Sequence, residues 1–286
     1  MSEPSFIQQD IDGFNKPIFF NPNGYLSKGG KFYNLEQSIT FVKSHPAFKN
    51  WFEKTNANFG DGFTSVNILE IYPFVNETKP IGFVMIDANV TYNGTPVPGA
   101  AFLRGGAVAI LTIIVNKDTN EMYVVNTIQP RVPGSDTKCE EIPAGMIDNA
   151  NNFAGVAAKE MQEETGIEIK KEDLIKIGEM YPSIGGCDEF IVLYRVIKEM
   201  EGETIAELQG KLTGNLEENE NITLKVRTMT DFENALKSGE IKDAKAMSAY
   251  AQHILNPINP VVPGGSCFKK TKKYKRKNRK TNKVRR

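Results

Sequence analysis

Sulfur and imidazole are scarce in this chain. Its 286 residues include three cysteines, Cys139, Cys187 and Cys267, and two histidines, His45 and His253. With no CxxC pair and so few histidines, a Cys/His zinc site is not expected. The odd, widely spaced cysteines suit free thiols in a reducing compartment better than a disulfide framework. Long apolar runs are missing as well. The longest, AVAILTIIV at residues 107–115, is far short of the roughly 20 residues that a membrane-spanning helix needs. The first residues, MSEPSFIQQD, show no basic start followed by an apolar core, so no secretory signal is expected. No internal repeat is visible. These absences point to a soluble, cytoplasmic protein with no membrane partner.

Net charge is also absent, 35 basic residues balancing 35 acidic ones, but the balance hides an asymmetry. Lys269 to Arg286 holds 12 Lys and Arg and no acid, leaving 35 − 12 = 23 basic against 35 acidic residues in the remainder. The molecule reads as an acidic body with a basic tail. Such a tail suits nucleic-acid binding or nuclear targeting, a disordered solubilising extension, or folding back onto the body. Tyr274 alone interleaves the charges, so a base-stacking platform is not indicated.

What is present has the composition of a globular protein, 40% hydrophobic and 24% charged residues, and enough length for one large domain or two modest ones. Residues 1–30, rich in Asn, Pro and Gly, read as an irregular lead-in. A helix should open at Asn34, with Gln37 in the capping-box position, and break at Pro46. Beyond it Phe48, Trp51 and Phe52 bury one helical face as core or dimer interface. Strand patterns follow at SVNILEIYPFV, IGFVMIDANVTY, AVAILTIIV and EMYVVNTIQ, the last two joined as a hairpin by NKDTNE. LIKIGEMYPS and EFIVLYRVI flank a glycine loop, and LEENENITLKVRTM is an acidic loop entering a strand. Two helices divided by a Gly turn close the body. The interleaving lacks regular βαβ spacing and predicts a layered α+β fold with a mixed sheet. The expected divisions are an extension at 1–95, a domain at 96–256, and a Pro/Gly linker with a basic disordered tail at 257–286.

The chemistry concentrates in GMIDNANNFAGVAAKEMQEETGI, residues 145–167. Phe153 to Thr165 should be helical, capped by Asn152 and ended by Gly166. Glu160, Glu163 and Glu164 fall at i, i+3 and i+4 and share a face. Their mutual repulsion and the negative helix end both disfavour that arrangement unless a cation is near. Carboxylate oxygens suit Mg²⁺ or Mn²⁺ rather than zinc. A solvated acidic face is the plain alternative for a bare ExxEE. Here EIPAG, Glu141 to Gly145, places a turn just before the helix that can aim a backbone carbonyl at such a metal.

Gly145, Lys159, Glu160, Met161, Glu163, Glu164, Gly166 and Ile167 match the box of the Nudix hydrolases, G-x5-E-x7-R-E-U-x-E-E-x-G-U, at the correct spacing. Asn151 stands where the family has Glu, and Lys159 where it has Arg. The stretch starting Arg104-Gly-Gly, the element Gln129-Pro130-Arg131, the EIPAG segment, the loop SIGGCDE with Ile184 in place of Pro, and SGEIKDAKAMSAY resemble the ADP-ribose pyrophosphatase branch. The likeness is nearest to its plant-type ADP-sugar diphosphatases and spans roughly residues 48–255.

The resemblance implies a Nudix α/β/α sandwich, a homodimer built with the N-terminal extension, and Mg²⁺-dependent hydrolysis of an ADP-sugar to AMP and a sugar phosphate. It places Glu160, Glu164 and the Ala144 carbonyl on the metal, with Glu163 on metal or orienting water. Glu189 falls at the general base, on a mobile loop opposite the helix. Arg131 should reach the diphosphate, Arg104 lies at substrate, and Glu141 contacts substrate or metal-bound water. Hydrolysis of an mRNA cap, favoured by the tail, and a catalytically silent nucleotide-binding protein are the alternatives. Cys187 and Ser183 have no neighbouring base in sequence and are not expected to be nucleophiles.

Overall fold

The structure is a computed structural model that describes residues 6–26, 32–73, 82–147, 153–214 and 221–257. Asn151, the Asn152 cap, Cys267, the basic tail and nearly all of its linker lie outside the described residues, as does most of the acidic loop before Ile222.

The chain runs β1 (Ile7–Gln9), β2 (Ile18–Phe20), β3 (Tyr25–Leu26), β4 (Phe32–Tyr33), α1 (Leu35–Ser44), α2 (Pro46–Phe59), β5 (Phe63–Pro73), β6 (Gly82–Tyr92), β7 (Thr95–Val97) and β8 (Ala100–Leu103). It continues with β9 (Ala107–Asn116), β10 (Met122–Arg131), β11 (Asp136–Glu141), β12 (Ala144–Met146), α3 (Phe153–Thr165), β13 (Ile175–Met180) and β14 (Ile191–Met200). α4 (Gly202–Leu208), β15 (Leu212–Thr213), β16 (Ile222–Thr228), α5 (Met229–Ser238) and α6 (Ala244–Leu255) complete it.

The first sheet has the order β1-β2-β5-β6-β7, with β8 also on β6. The lead-in is therefore not irregular, as its composition suggested. Ile18 and Phe20 are fully buried, and β2 runs parallel to β5. Three-residue strands carry too little pattern to be read locally; their pairing is supplied by β5. α1 opens as expected, with the Asn34 side chain accepting from the Gln37 N–H and Gln37 Oε1 accepting from the Asn34 N–H. Pro46 starts α2, which His45 caps by accepting the Phe48 N–H while its Nε2 meets the Gly82 carbonyl at 2.8 Å. Phe48 and Phe52 are buried and Trp51 packs half-buried beside them. β7 and β8 carry this sheet to Leu103, past the expected division at residue 95.

The second sheet has the order β13-β14-β9-β10-β16-β15 and is mixed: β9 is parallel to β14 and antiparallel to β10. AVAILTIIV is apolar throughout because both faces of β9 are covered. Ala107, Ala109, Leu111 and Ile113 pack towards Phe232, Ala246 and Ala249 of α5 and α6. Val108, Ile110 and Ile114 pack towards Ala157 and Met161 of α3. Helices thus cover both sides, giving the expected α/β/α sandwich. β9 and β10 pair only through Thr112–Val115 and Met122–Val125. Beyond that they diverge, β11 joining β10 and β12 joining β9. The connection Ile142–Pro143 consequently sits in a fork of the central sheet, with Ile142 packed on the α5 and α6 side.

Candidate active site

α3 is held by its apolar stripe, Ala157 and Met161 being fully buried, and it ends at Gly166, whose φ of +72° brings its N–H to the Gln162 carbonyl. This places the acidic end of the helix on the fork. Glu164 is 3% exposed, and its Oε2 accepts the Ala144 N–H at 3.0 Å. Glu160 lies against Gly145, where an added Cβ would stand 2.0 Å from its carboxyl carbon. The glycine that opens the box is thus a seat for a carboxylate. Glu163 turns towards solvent and pairs with Lys159 at 3.1 Å. The three glutamates share a helix but not one point. Among the described residues no three Asp, Glu, His or Cys side chains gather as a metal cluster.

Two arginine–glutamate pairs stand nearby. Arg131 Nε donates to Oε2 of Glu141 at 2.8 Å, and its Nη2 pairs with the same oxygen at 2.7 Å. Burial works to raise the Glu141 pKa, but Lys245 and Arg131 outweigh it and hold the carboxyl below the usual range. Arg131 Nη2 and Lys245 Nζ flank that carboxylate from opposite oxygens, Lys245 at 3.2 Å from Oε1. Arg131 also feels the charge of Glu164, so this pair belongs to the same field as the helix.

The second pair joins Arg104 Nε to Glu189 Oε1 at 3.3 Å. Glu189 is pushed above the ordinary carboxylate range by burial, opposed by Arg104, Lys245 and Arg131 and reinforced by Asp188. The loop that carries it is fastened to β8. Cys187 bridges Phe102, the Phe102 N–H donates to the Gly186 carbonyl, and the Asp188 N–H donates to the Phe102 carbonyl. Asp188 Oδ1 accepts the backbone N–H groups of Arg104 and Gly105 at 2.7 and 3.1 Å. One half-buried carboxylate therefore ties together the segments that carry Arg104 and Glu189. Cys187 is a packed loop residue whose thiol burial pushes away from ionisation.

Sequence reasoning singled out every one of these glutamates and arginines but missed Asp188, Asp243 and Lys245. The last two lay inside SGEIKDAKAMSAY, and an Asp-x-Lys at a helix start reads as an ordinary cap. His253 meets the buried Arg195 Nη1 at 3.0 Å, beside the Asn256 carbonyl that the same nitrogen donates to.

Fold and site together define a class, an α/β/α sandwich that presents a carboxylate-bearing helix at a fork in its central sheet. The NUDIX domain matches residues 105–250. The chain is 35% identical over 251 residues to Nudix hydrolase 14, chloroplastic, of Arabidopsis thaliana, covering 82% of this chain and 77% of that protein. It is 33% identical over 146 residues to the ADP-ribose pyrophosphatase of Bacillus subtilis (strain 168), covering 51% and 69%. It is 32% identical over 145 residues to the methanol dehydrogenase activator of Bacillus methanolicus, covering 50% and 69%. The chain belongs to the Nudix hydrolase family.

Proposed function

We propose that this Nudix hydrolase cleaves the diphosphate of ADP-sugars, ADP-ribose or ADP-glucose, to AMP and a sugar phosphate, using Mg²⁺ or Mn²⁺. The observation that carries this reading is the placement of two Arg–Glu pairs beside the fork where Glu160 and Glu164 meet Ala144 and Gly145. Guanidinium groups match phosphate oxygens with directed N–H donors. The 33% identity to a protein named ADP-ribose pyrophosphatase supports the same substrate class.

The donor set fits a hard divalent cation. Glu160 has a seat that only glycine leaves open, and Glu164 is a buried carboxylate that accepts the backbone N–H of Ala144, the residue just before that glycine. Glu160, Glu164 and Ala144 would hold the metal, with Glu163 joining on release from Lys159 or orienting water. A divalent cation held there would supply charge neutralisation at the diphosphate and would make water more acidic. Glu189, whose affinity for a proton is raised by burial, takes the proton from the attacking water. Arg131 and Arg104 bind the diphosphate, and Glu141 fixes Arg131 while facing substrate.

The test is AMP release from ADP-ribose and ADP-glucose with and without Mg²⁺, alongside a capped RNA. Wild type should release AMP only with metal, and Glu164→Gln should abolish release while keeping the wild-type melting temperature. Undiminished turnover by the variant would sink the residue assignment. Preference for the capped RNA would move the substrate to the alternative reading.

A further inference from the structure

We infer that Lys245 is a positioning residue that governs how Arg131 is presented to substrate. The inference rests on the diphosphate-binding role proposed for Arg131. Four charged groups form an alternating chain: Arg131, Glu141, Lys245 and Asp243. Arg131 meets Glu141 at 2.7 Å, Glu141 meets Lys245 at 3.2 Å, and Lys245 meets Asp243 at 2.9 Å.

Its far end is fixed by backbone. Asp243 Oδ2 accepts the N–H groups of Ile142, from the fork, and of Ala246, from α6. Oδ1 accepts the Lys245 N–H as well as its Nζ. Asp243 therefore caps α6 and ties it to the sheet by itself. Lys245 Nζ is not needed for that junction, and its remaining partner is Glu141 Oε1.

That contact has a consequence at the other end. A carboxylate and a guanidinium left alone favour a two-oxygen fork. Here Arg131 Nε donates to Oε2 with Nη2 2.7 Å from the same oxygen, while Lys245 occupies Oε1. Arg131 is thereby turned, with its side chain 43% exposed, leaving a guanidinium edge for a phosphate oxygen. Without Lys245, Glu141 is free to turn both oxygens onto the Nε/Nη2 side of Arg131, which moves the remaining Nη1 edge from its place. The charge of Lys245 also reaches Glu189, linking the fork to the loop opposite.

The experiment compares wild type, Lys245→Met and Lys245→Arg, each with Mg²⁺ and ADP-ribose. Lys245→Met should raise KM on the order of ten-fold or more, the scale of a lost charge-assisted hydrogen bond, with a smaller change in kcat. Lys245→Arg should recover most of it. A parallel spectrum of ¹⁵N-arginine-labelled protein without ligand reads the Arg131 Nε–H directly, assigned by its loss in Arg131→Lys. That resonance should shift in Lys245→Met and return in Lys245→Arg. An unmoved resonance, or equal KM values in folded variants, overturns the inference. A wild type with no turnover but a resonance that moves as described defeats the substrate reading and leaves the clamp standing.

Discussion

Gly145 is conformationally ordinary, so what requires a glycine there is contact. Its missing Cβ is the space that the Glu160 carboxyl fills. The group displaced by a methyl is the far end of a flexible side chain, which can rotate away without disturbing backbone. Alanine also narrows the unfolded ensemble. Gly145→Ala should therefore change stability by no more than about 1 kcal/mol. Activity should respond differently. Moving one carboxylate of the proposed metal seat should cost roughly 10–100-fold in turnover, and more Mg²⁺ should recover part of it. A Mg²⁺ titration of AMP release, beside thermal unfolding of both proteins, checks the pair of outcomes. Equal losses of stability and activity would show that Gly145 serves packing alone.

The elements legible in the sequence are those whose pattern is complete within themselves. AVAILTIIV announces a strand covered on both faces, and the 3.6-residue stripe of α3 locates its glutamates before any contact is known. The site's supporting charges are not of this kind. Lys245 and Glu141 are 104 positions apart, and Asp243 bonds the Ile142 N–H across 101 positions. Each looks like a solvated surface charge until the sheet forks beneath it.

The network on β11 shows the same property and carries a prediction. Glu140 accepts Arg227 Nε and Nη2 at 2.7 and 2.8 Å, Lys225 Nζ at 2.9 Å and Asn126 Nδ2 at 2.8 Å, and Arg227 also pairs with Glu240. These contacts reach across β10 from β16 and fix the strand whose next residue is Glu141. Burial works to raise the Glu140 pKa, but Arg227 and Lys225 prevail and hold it below its ordinary 4.5. A depressed carboxyl contributes stability above its unfolded pKa and loses it as pH falls through the folded value. Glu140→Ala should cost about 3 kcal/mol near neutral pH by taking the buried carboxylate away from two half-buried cations, which keep only Glu240 among the described residues. That deficit should shrink below the unfolded pKa of about 4.5, where the wild-type carboxylate is itself being protonated. Chemical denaturation of both proteins across that range measures it. A constant gap would assign the loss to packing instead.

At the scale of the whole chain there are two units, Met1–Asn256 and Pro257–Arg286, and the basic run Lys269 to Arg286 falls in the second. The first holds the sandwich, the extension and the whole candidate site, and among the described residues no helix is long and apolar enough to cross a membrane. The homodimer that the family resemblance implies should depend on the first unit, and the nucleic-acid contact that the basic tail suits on the second. Truncation after Pro257 separates the two properties. Light scattering should give a dimer mass for both the full and the truncated chain, with AMP release per subunit unchanged. RNA binding should persist only in the full chain and be steep in salt. If half of the 12 tail charges contact phosphates, log K should fall against log salt with a slope of roughly −4. Equal RNA binding by both chains would remove the tail from recognition and return it to a solubilising role. Loss of dimer mass on truncation would instead make the tail part of the assembly.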